Sequence, residues 1–171
     1  MIVIMAGLPA TGKSTLCRAL ASRLSGTVLD KDEIRSTLFS PQDIEYVTEQ
    51  DDFCMAIMMQ TAAYILQRNP QRTVFLDGRP FSHRAQIEEV VRQAEELNQP
   101  WRILQCVCSE ESAKKRLDQQ TQPGGHPAAD RNYALYLRIQ AQFQEITRPR
   151  TIIDTDQSLE VCVQSGLTSL G

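Results

Sequence analysis

MIVIMAGLPATGKST, residues 1–15, is the stretch that decides the fold of this 171-residue chain. Residues 2–6 are an apolar run typical of a buried strand, and apolar side chains recur at helical spacing from Leu16 to Leu24. Residues 7–14 match G-x-x-x-x-G-K-[ST], a phosphate-binding loop whose glycines let backbone N–H groups turn towards a polyphosphate. Because strand, loop and helix follow in the order that the motif requires, this interpretation is favoured over a coincidental Gly-rich turn.

The loop predicts a site for ATP and Mg²⁺. Lys13 would reach the β- and γ-phosphates, and the Ser14 hydroxyl would bind Mg²⁺. Backbone N–H groups along the loop would hold the remaining phosphate oxygens. The residues predicted to bind the nucleotide are Gly7, Leu8, Pro9, Ala10, Thr11, Gly12, Lys13, Ser14 and Thr15.

Charge and composition limit the partners. The formal net charge of −3, the isoelectric point near 5.4 and the lack of clustered Lys and Arg disfavour a surface for long nucleic acid. A small acceptor, or the end of an oligonucleotide, remains compatible. The apolar runs are too short to span a bilayer and the N-terminus does not resemble a secretory signal, so we expect a cytoplasmic protein without a membrane partner. The five cysteines contain no C-x-x-C pair and indicate reduced thiols, while the oligomeric state stays unknown.

Two aspartates follow the second predicted strand. Residues 27–29 are typical of a short strand, and Asp30 and Asp32 lie where a helix over about 32–38 should begin. The carboxyl edge of a parallel sheet is where such folds bind ligands. Asp32 is therefore a candidate for acting on a substrate; the alternative is that Asp30 or Asp32 only caps the helix.

Asp77 ends the third predicted strand, residues 73–77. A carboxylate in this place beside a phosphate loop is a usual second anchor for Mg²⁺ or its waters, so Asp77 joins Ser14 as a predicted metal residue. The alternative is a simple turn residue. Arg79 and Arg84 follow at the same edge and are candidates for contacting the acceptor, or else solvated arginines at a helix start.

The rest of the chain continues the alternation. Residues 39–50 should form a long connection. Pro- and Gly-rich residues 120–129 lie between Arg116 and Arg131, which suggests a lid that brings cationic donors to the transferring phosphate, unless these arginines only decorate helix surfaces. Further helices are expected at 51–68, which is apolar nearly all round, and at 82–97, with Ser82 as cap. Another helix should begin at 130, with the stripe Tyr136, Ile139, Phe143 and Ile146. The remaining expected elements are helices at 110–119 and 158–170 and strands at 101–108 and 151–154.

Residues 7–15 and 30–35, with Asp77 and Arg116, resemble the P-loop kinases of the small nucleotide-kinase-like group. This small AAA-type ATP-binding kinase family includes zeta-toxin-type, polynucleotide 5′-hydroxyl and chloramphenicol-phosphotransferase-like kinases. The resemblance implies that Asp32 is the base for the acceptor hydroxyl and that Arg35, three residues on, binds the acceptor or a phosphate. LDKDEIR, residues 29–35, is also similar to a segment of adenylylsulfate kinases. The residues that follow Arg116 are less basic than the lid of polynucleotide kinases.

The sequence therefore predicts an α/β fold of the P-loop NTPase, nucleotide-kinase-like type, in one domain over residues 1–171. We expect a five-stranded parallel sheet with helices on both faces and a small lid at about 116–131. The predicted activity is ATP-dependent transfer of the γ-phosphate to a hydroxyl of a small-molecule or nucleotide-like acceptor. The predicted catalytic residues are Lys13, Asp32, Arg35, Arg116 and Arg131, and the predicted substrate residues are Asp32, Arg35, Arg79 and Arg84.

Two other activities stay open. One is a nucleotide-binding ATPase or switch that transfers phosphate only to water, and the other is a polynucleotide 5′-hydroxyl kinase. A toxin-like kinase that acts on nucleotide sugars would differ from the favoured activity only in its acceptor.

Overall fold

The chain alternates strands and helices around one parallel sheet. The computed structural model describes residues 1–120 and 132–171. A 3₁₀ turn, Pro41–Asp43, follows the second helix. The elements in chain order are β1 (Ile2–Ala6), α1 (Lys13–Leu24), β2 (Thr27–Asp30), α2 (Lys31–Leu38), α3 (Thr48–Arg68), β3 (Val74–Asp77), α4 (Arg84–Glu96), β4 (Trp101–Val107), α5 (Glu110–Gln120), α6 (Tyr133–Gln142), β5 (Thr151–Asp154) and α7 (Leu159–Leu170).

The sheet has five strands in the order β2-β3-β1-β4-β5, and all neighbours run parallel. The predicted five-stranded parallel sheet is therefore confirmed. β1 lies between β3 and β4, so the chain leaves β1 where the order of strands reverses. Ligands bind at this point in open α/β sheets, outside the carboxyl ends of the strands. Residues 7–12, which follow β1, are thereby placed at the crevice.

Two apolar cores cover the two faces of the sheet. In β1, Ile2 and Ile4 pack into the core that α3 and α4 complete, whereas Val3 and Met5 pack into the core of α1 and α7. All four side chains are fully buried. Because both faces of β1 are covered, its sequence is continuously apolar and does not alternate. Helices on both faces of the sheet are thus confirmed.

α3 begins at Thr48, earlier than predicted, and buries only one side. Met55 and Met58 lie in the core, whereas Phe53 and Tyr64 are 54% and 58% exposed. The helix thus packs against the sheet as expected, and the apolar residues nearly all round it include some that face solvent. α3 covers the sheet from outside, and apolar residues are common on such solvent-facing sides. Within residues 1–120 and 132–171, no helix is long and apolar enough to cross a membrane.

The start of α4 also differs from the prediction. His83, not Ser82, occupies the N-cap position, and its N–H donates to Gln86 Oε1 at 3.3 Å. The Ser82 carbonyl instead accepts a hydrogen bond from the Gln144 N–H at 2.8 Å. That long-range bond, invisible in the local sequence, sets the helix boundary one residue later.

The predicted lid falls only partly within the described residues. Arg116 lies on α5, whereas Arg131 lies outside the residues that the structure describes. α6 ends at Gln142, so Phe143 and Ile146 of the expected helical stripe follow the helix. Ile146 is nevertheless buried in the core of α3 and α4.

Candidate active site

The phosphate loop, residues 7–12, turns sharply between β1 and α1. Gly7 has φ 135°, and a Cβ at this position would lie 2.3 Å from the Cys106 carbonyl oxygen, so only glycine fits. Gly12 is the N-cap of α1, and no described side chain caps this helix. The N–H groups of a helix's first turn need a partner, and an anion is a suitable one. The loop therefore fits a bound phosphate.

Lys13 is the first residue of α1 and folds back over the loop. Its Nζ donates to the carbonyl oxygens of Gly7 at 2.9 Å and of Leu8 at 2.7 Å. The side chain is almost fully buried. Hydrogen bonds of an ammonium to charged oxygens are stronger than those to neutral carbonyls, so phosphate oxygens in the loop would compete well for this donor.

Asp77 ends β3 next to the strand that carries the loop. Its side chain is fully buried, and neither carboxylate oxygen has a hydrogen-bond partner among residues 1–120 and 132–171. A buried carboxylate is costly unless a cation or a donor compensates it. Asp77 thus has the property expected of a residue that binds Mg²⁺. The other predicted metal residue, Ser14, lies in the first turn of α1 directly after the loop and is half-buried.

Asp30 and Asp32 have different surroundings, which separates the two aspartates that the sequence left as alternatives. Asp30 is the N-cap of α2, and its Oδ1 accepts from the Asp32 N–H at 2.9 Å. Burial, followed by the nearby negative charge of Asp77, raises the pKa of the Asp30 carboxyl. The helix is therefore capped by Asp30, and the Asp32 side chain is not used for capping.

The α2-side cavity has a volume of about 130 Å³ and lies beside the phosphate loop. Its walls come from the loop, from α2, α3 and α6, and from the turn after β3. Gly78 in this turn has φ 84°, and a Cβ there would lie 2.7 Å from the Lys31 backbone nitrogen. The lining residues are Pro9, Lys13, Lys31, Asp32, Arg35, Tyr46, Asp51, Gly78, Pro80, Leu135, Arg138 and Ile139.

Asp32 belongs to a cluster of four charged side chains in this cavity. Its Oδ1 accepts from Arg35 Nη1 at 3.1 Å and lies 3.4 Å from Lys31 Nζ. Asp51 of α3 binds the same two cations: its Oδ1 accepts from Lys31 Nζ at 2.8 Å and from Arg35 Nη2. The Tyr46 ring covers the Arg35 guanidinium at 5.2 Å from the ring centroid. The cluster fixes Asp32 and ties α2 to α3.

Lys31 and Arg35 are unusually buried for charged residues. Their side chains are 7% and 3% exposed. Burial is the main cause that lowers the pKa of Lys31 from 10.5 to about 8; Asp32 opposes this change, and Arg35 and Arg79 add to it. Lys31 therefore stays mostly protonated at neutral pH but loses its proton at a lower pH than an exposed lysine.

The α7-side cavity lies on the other side of the loop and has a volume of about 410 Å³. Arg116 reaches into its wall, where Nη2 donates to the Thr155 carbonyl at 2.7 Å and Nη1 to the Ala10 carbonyl at 3.3 Å. Arg116 thereby ties the loop to the turn after β5. The lining residues are Ala10, Gly12, Thr15, Leu16, Arg116, Gln119, Thr155, Gln157, Leu159 and Cys162.

A small apolar cluster, which we name the loop cluster, mounts α5 and α6 on the phosphate loop. Its buried members are Ala10 of the loop, Ala113 and Leu117 of α5, and Tyr136 of α6. Contacts of this kind hold the helices that carry Arg116 and Arg138 in fixed positions relative to the loop.

The structure groups some of the predicted site residues and separates others. Lys13, Asp32 and Arg35 line the α2-side cavity together, whereas Arg116 lines the α7-side cavity. Arg79 and Arg84 line neither. Arg79 pairs with Asp52 at 2.7 Å, and Arg84 Nε donates to the Glu145 carbonyl at 3.1 Å.

Four lining residues of the α2-side cavity with charged or polar side chains were not predicted: Lys31, Tyr46, Asp51 and Arg138. Lys31 follows Asp30 directly, so its position after a strand was a usable signal. Tyr46 and Asp51 come from a connection and a helix start without a motif. Arg138 lies on α6, where the cavity side of the helix can be recognised only after the helix is placed.

Comparisons with known proteins agree with this architecture. A family profile described as an AAA domain matches residues 2–146, and no curated protein matches. A Chloroflexus aurantiacus J-10-fl protein named as a candidate kinase has a TM-score of 0.77 and 23% identity, over 99% of this chain and 98% of that one. For the Mycobacterium tuberculosis APS kinase the TM-score is 0.72 with 15% identity, over 99% and 96% of the two chains.

A gluconokinase from Sinorhizobium meliloti 1021 has a TM-score of 0.69 and 16% identity, and the match covers 99% of this chain and 90% of that one. At such identities the structural likenesses show the shared fold. The family profile covers most of the chain, including the phosphate loop, Asp32 and Asp77. The chain therefore belongs to this AAA domain family of P-loop proteins.

Proposed function

We propose that the protein is an ATP-dependent kinase that transfers the γ-phosphate to a hydroxyl group of a small-molecule or nucleotide-like acceptor. One observation carries this proposal: the phosphate loop and the carboxylate of Asp32 border the same cavity. A phosphoryl group held by Lys13 would face a space in which an acceptor hydroxyl can approach Asp32. Binding of a nucleotide alone does not require a second, charged cavity beside the loop, whereas binding of an acceptor does.

The nucleotide would bind through the loop and the first turn of α1. Loop N–H groups and Lys13 would hold its phosphates, and the wall that Arg116 and Thr155 form would face the rest of the molecule. Ser14 and Asp77 would bind Mg²⁺, which neutralises phosphate charge in such reactions. The unpartnered, buried carboxylate of Asp77 supports this assignment.

Asp32 would orient the acceptor hydroxyl and accept its proton. Arg35 and Lys31 hold the carboxylate from one side, through Oδ1. Because the transition state of phosphoryl transfer is loose, most of the rate should come from positioning and electrostatics, and less from the strength of the base. The arrangement of fixed charges around a small space suits this requirement.

The named relatives are compatible with the proposal. The M. tuberculosis APS kinase has been solved in complex with AMPPNP and APS, an ATP analogue together with an acceptor. A gluconokinase shares the fold as well. The narrower likeness to zeta-toxin, polynucleotide and chloramphenicol kinases remains a prediction from the sequence.

The test is transfer of label from γ-labelled ATP in the presence of Mg²⁺ to a panel of nucleosides, sugars, sugar acids, nucleotide sugars, antibiotics and oligonucleotide ends. We expect acceptor-dependent transfer that Lys13→Ala nearly abolishes. Arg84→Gln is the matched control, because this exposed arginine lines neither cavity. Hydrolysis that no acceptor changes would contradict the proposal and favour an ATPase or switch, and labelling only of oligonucleotide ends would favour a polynucleotide kinase.

A further inference from the structure

The α2-side cavity carries more positive than negative charge. Among the described residues that line it, four are cationic and two are carboxylates. Lys13 belongs to the phosphate loop, which leaves Lys31, Arg35 and Arg138 facing Asp32 and Asp51. The proposed reaction needs Asp32 for the acceptor hydroxyl. Asp51 then remains as the carboxylate that pairs with Lys31 and Arg35, while Arg138 adds a third positive charge to the same cavity.

The hydrogen bonds of the cluster show the same surplus of donors. Lys31 and Arg35 both bind Oδ1 of Asp51 and both approach Oδ1 of Asp32, so the two cations divide two oxygen atoms between them. Arg35 Nε is buried and has no hydrogen-bond partner among residues 1–120 and 132–171. A guanidinium has five N–H donors in a planar fork that matches carboxylate and phosphate oxygens. Arg35 therefore has a donor to spare in a place that water reaches poorly.

Arg138 adds a cation that the tie between α2 and α3 does not require. Lys31 and Arg35 lie on α2 and their common partner Asp51 on α3, so an ion pair that only joins these helices is complete without α6. Arg138 lines the cavity from α6, on the same helix side as Leu135 and Ile139. Cations from two separate helices thus converge on one space of about 130 Å³.

We propose that the phosphate acceptor carries an anionic group, a phosphate or a carboxylate, and that Lys31, Arg35 and Arg138 bind this group in the α2-side cavity. The inference rests on the proposed function, since it names the class of acceptor for that reaction. A neutral polyol would leave the surplus charge and the spare donor uncompensated. An anion compensates both and fixes the acceptor's hydroxyl relative to Asp32.

The lowered pKa of Lys31 agrees with a site that binds an anion. The charged groups around its Nζ are Asp32 and Arg35 on α2, Asp51 on α3 and Arg79 after β3, with Lys13 and Arg138 in the same cavity. Even with two carboxylates in contact, burial keeps the pKa of Lys31 at about 8. An added anion would favour the charged ammonium and raise this pKa.

The experiment measures the labelling of each lysine by acetic anhydride as a function of pH, with mass spectrometry of the peptides. The phosphate loop is first filled with Mg²⁺ and a non-hydrolysable ATP analogue. Sulfate then serves as the probe for a phosphate group and acetate as the probe for a carboxylate, against glycerol and against chloride at equal ionic strength. Lys115, exposed on α5, is the internal reference, and protection of Lys13 reports that the loop is filled.

We expect sulfate or acetate to slow the labelling of Lys31 about fivefold at pH 8, the change that a rise of its pKa by about one unit produces. Lys115 should not respond. Arg138→Gln should reduce the effect to about twofold or less, whereas Arg92→Gln, an exposed arginine on α4 outside the cavity, should keep it. The stronger of the two anions identifies the kind of group.

Three results of the labelling experiment would overturn the inference: labelling of Lys31 that neither anion slows, an equal effect of glycerol, or an equal effect of the anions in Arg138→Gln. None of these results depends on turnover. Anion-dependent protection of Lys31 without any phosphoryl transfer would contradict the proposed function and leave the anion site standing. Efficient phosphoryl transfer to neutral acceptors alone would contradict the anionic acceptor and leave the proposed function standing.

Discussion

Asp77→Asn should make the free protein more stable and at the same time remove its response to magnesium and nucleotide. The side chain is fully buried, and neither oxygen is hydrogen-bonded within the described residues. Leaving a buried polar group unsatisfied costs about 1–3 kcal/mol, and more when it is charged. The neutral, isosteric amide also lacks a partner, so it recovers only the extra cost of burying a charge and the repulsion between Asp77 and Asp30.

The expected gain is therefore about 2 kcal/mol in the free energy of unfolding without ligand. For a chain of this length about 1 kcal/mol moves the midpoint of thermal unfolding by roughly 2–4 °C, so the variant should melt roughly 4–8 °C higher. A ligand at about 100 times its Kd stabilises the folded state by about 2.7 kcal/mol. The wild type should show this additional increase with Mg²⁺ and a non-hydrolysable ATP analogue, and the variant should lose most of it.

Calorimetry at pH 7, with and without Mg²⁺ and the analogue, measures both effects. Asp154→Asn is the matched control: Asp154 also ends a strand at the same edge of the sheet, but it is exposed. This control should change neither the midpoint nor the response to the ligand. If Asp77→Asn unfolds at a lower temperature than the wild type, or keeps the full response to Mg²⁺ and nucleotide, the reasoning about a carboxylate reserved for a cation is refuted.

Three further predictions concern the two cavities. Asp32→Asn should lower turnover on the order of 10²–10⁴-fold, the range for a general base, while nucleotide affinity measured by calorimetric titration stays unchanged; near-normal turnover would remove Asp32 from this role. Arg116→Ala should raise the KM for ATP in steady-state assays and leave the KM for the acceptor unchanged, because Arg116 lines only the α7-side cavity; an effect on the acceptor alone would contradict the assignment. Native Lys31 loses its proton at about pH 8 and the unfolded chain at about 10.5, so the unfolded state binds more protons between these values. Relative to Lys31→Met, the free energy of unfolding of the wild type should therefore rise by up to about 3 kcal/mol as the pH increases through this window. Urea titrations at several pH values measure this difference. A difference that does not change with pH would show that Lys31 is not buried as a cation.

Local features of the chain could be predicted from the sequence. The apolar run of β1, the loop glycines and the first turn of α1 are fixed by neighbouring residues and by backbone conformation, as φ 135° at Gly7 illustrates. The pair Asp32 and Arg35 is three residues apart on one helix, so their contact follows from helix geometry. Asp77 could be placed because parallel strands bring their carboxyl ends to one edge.

Contacts between distant segments could not be predicted in this way. Asp51 meets Lys31 and Arg35 only because α3 packs against α2, and no spacing in the sequence encodes that packing. The direction of Arg116 is another example. Its position before the Pro- and Gly-rich residues 120–129 suggested a lid residue near the transferring phosphate. The structure shows that its guanidinium bonds to Thr155 and lines the α7-side cavity. Which of several arginines on a helix faces a site depends on the rotation of that helix about its axis, and this rotation is set by the whole core.

α6 has two sides with different roles: one packs in the loop cluster, and the other lines the α2-side cavity. Tyr136 packs with Ala10 and Leu117 and so helps to hold the phosphate loop. Leu135, Arg138 and Ile139 lie on the side that lines the α2-side cavity. Replacing these three residues would reshape the cavity and leave the anchoring tyrosine in place. A protein built in this way can change the acceptor that it binds while the residues that bind the nucleotide stay the same. α6 is therefore the helix at which a designer should begin a library for new acceptors.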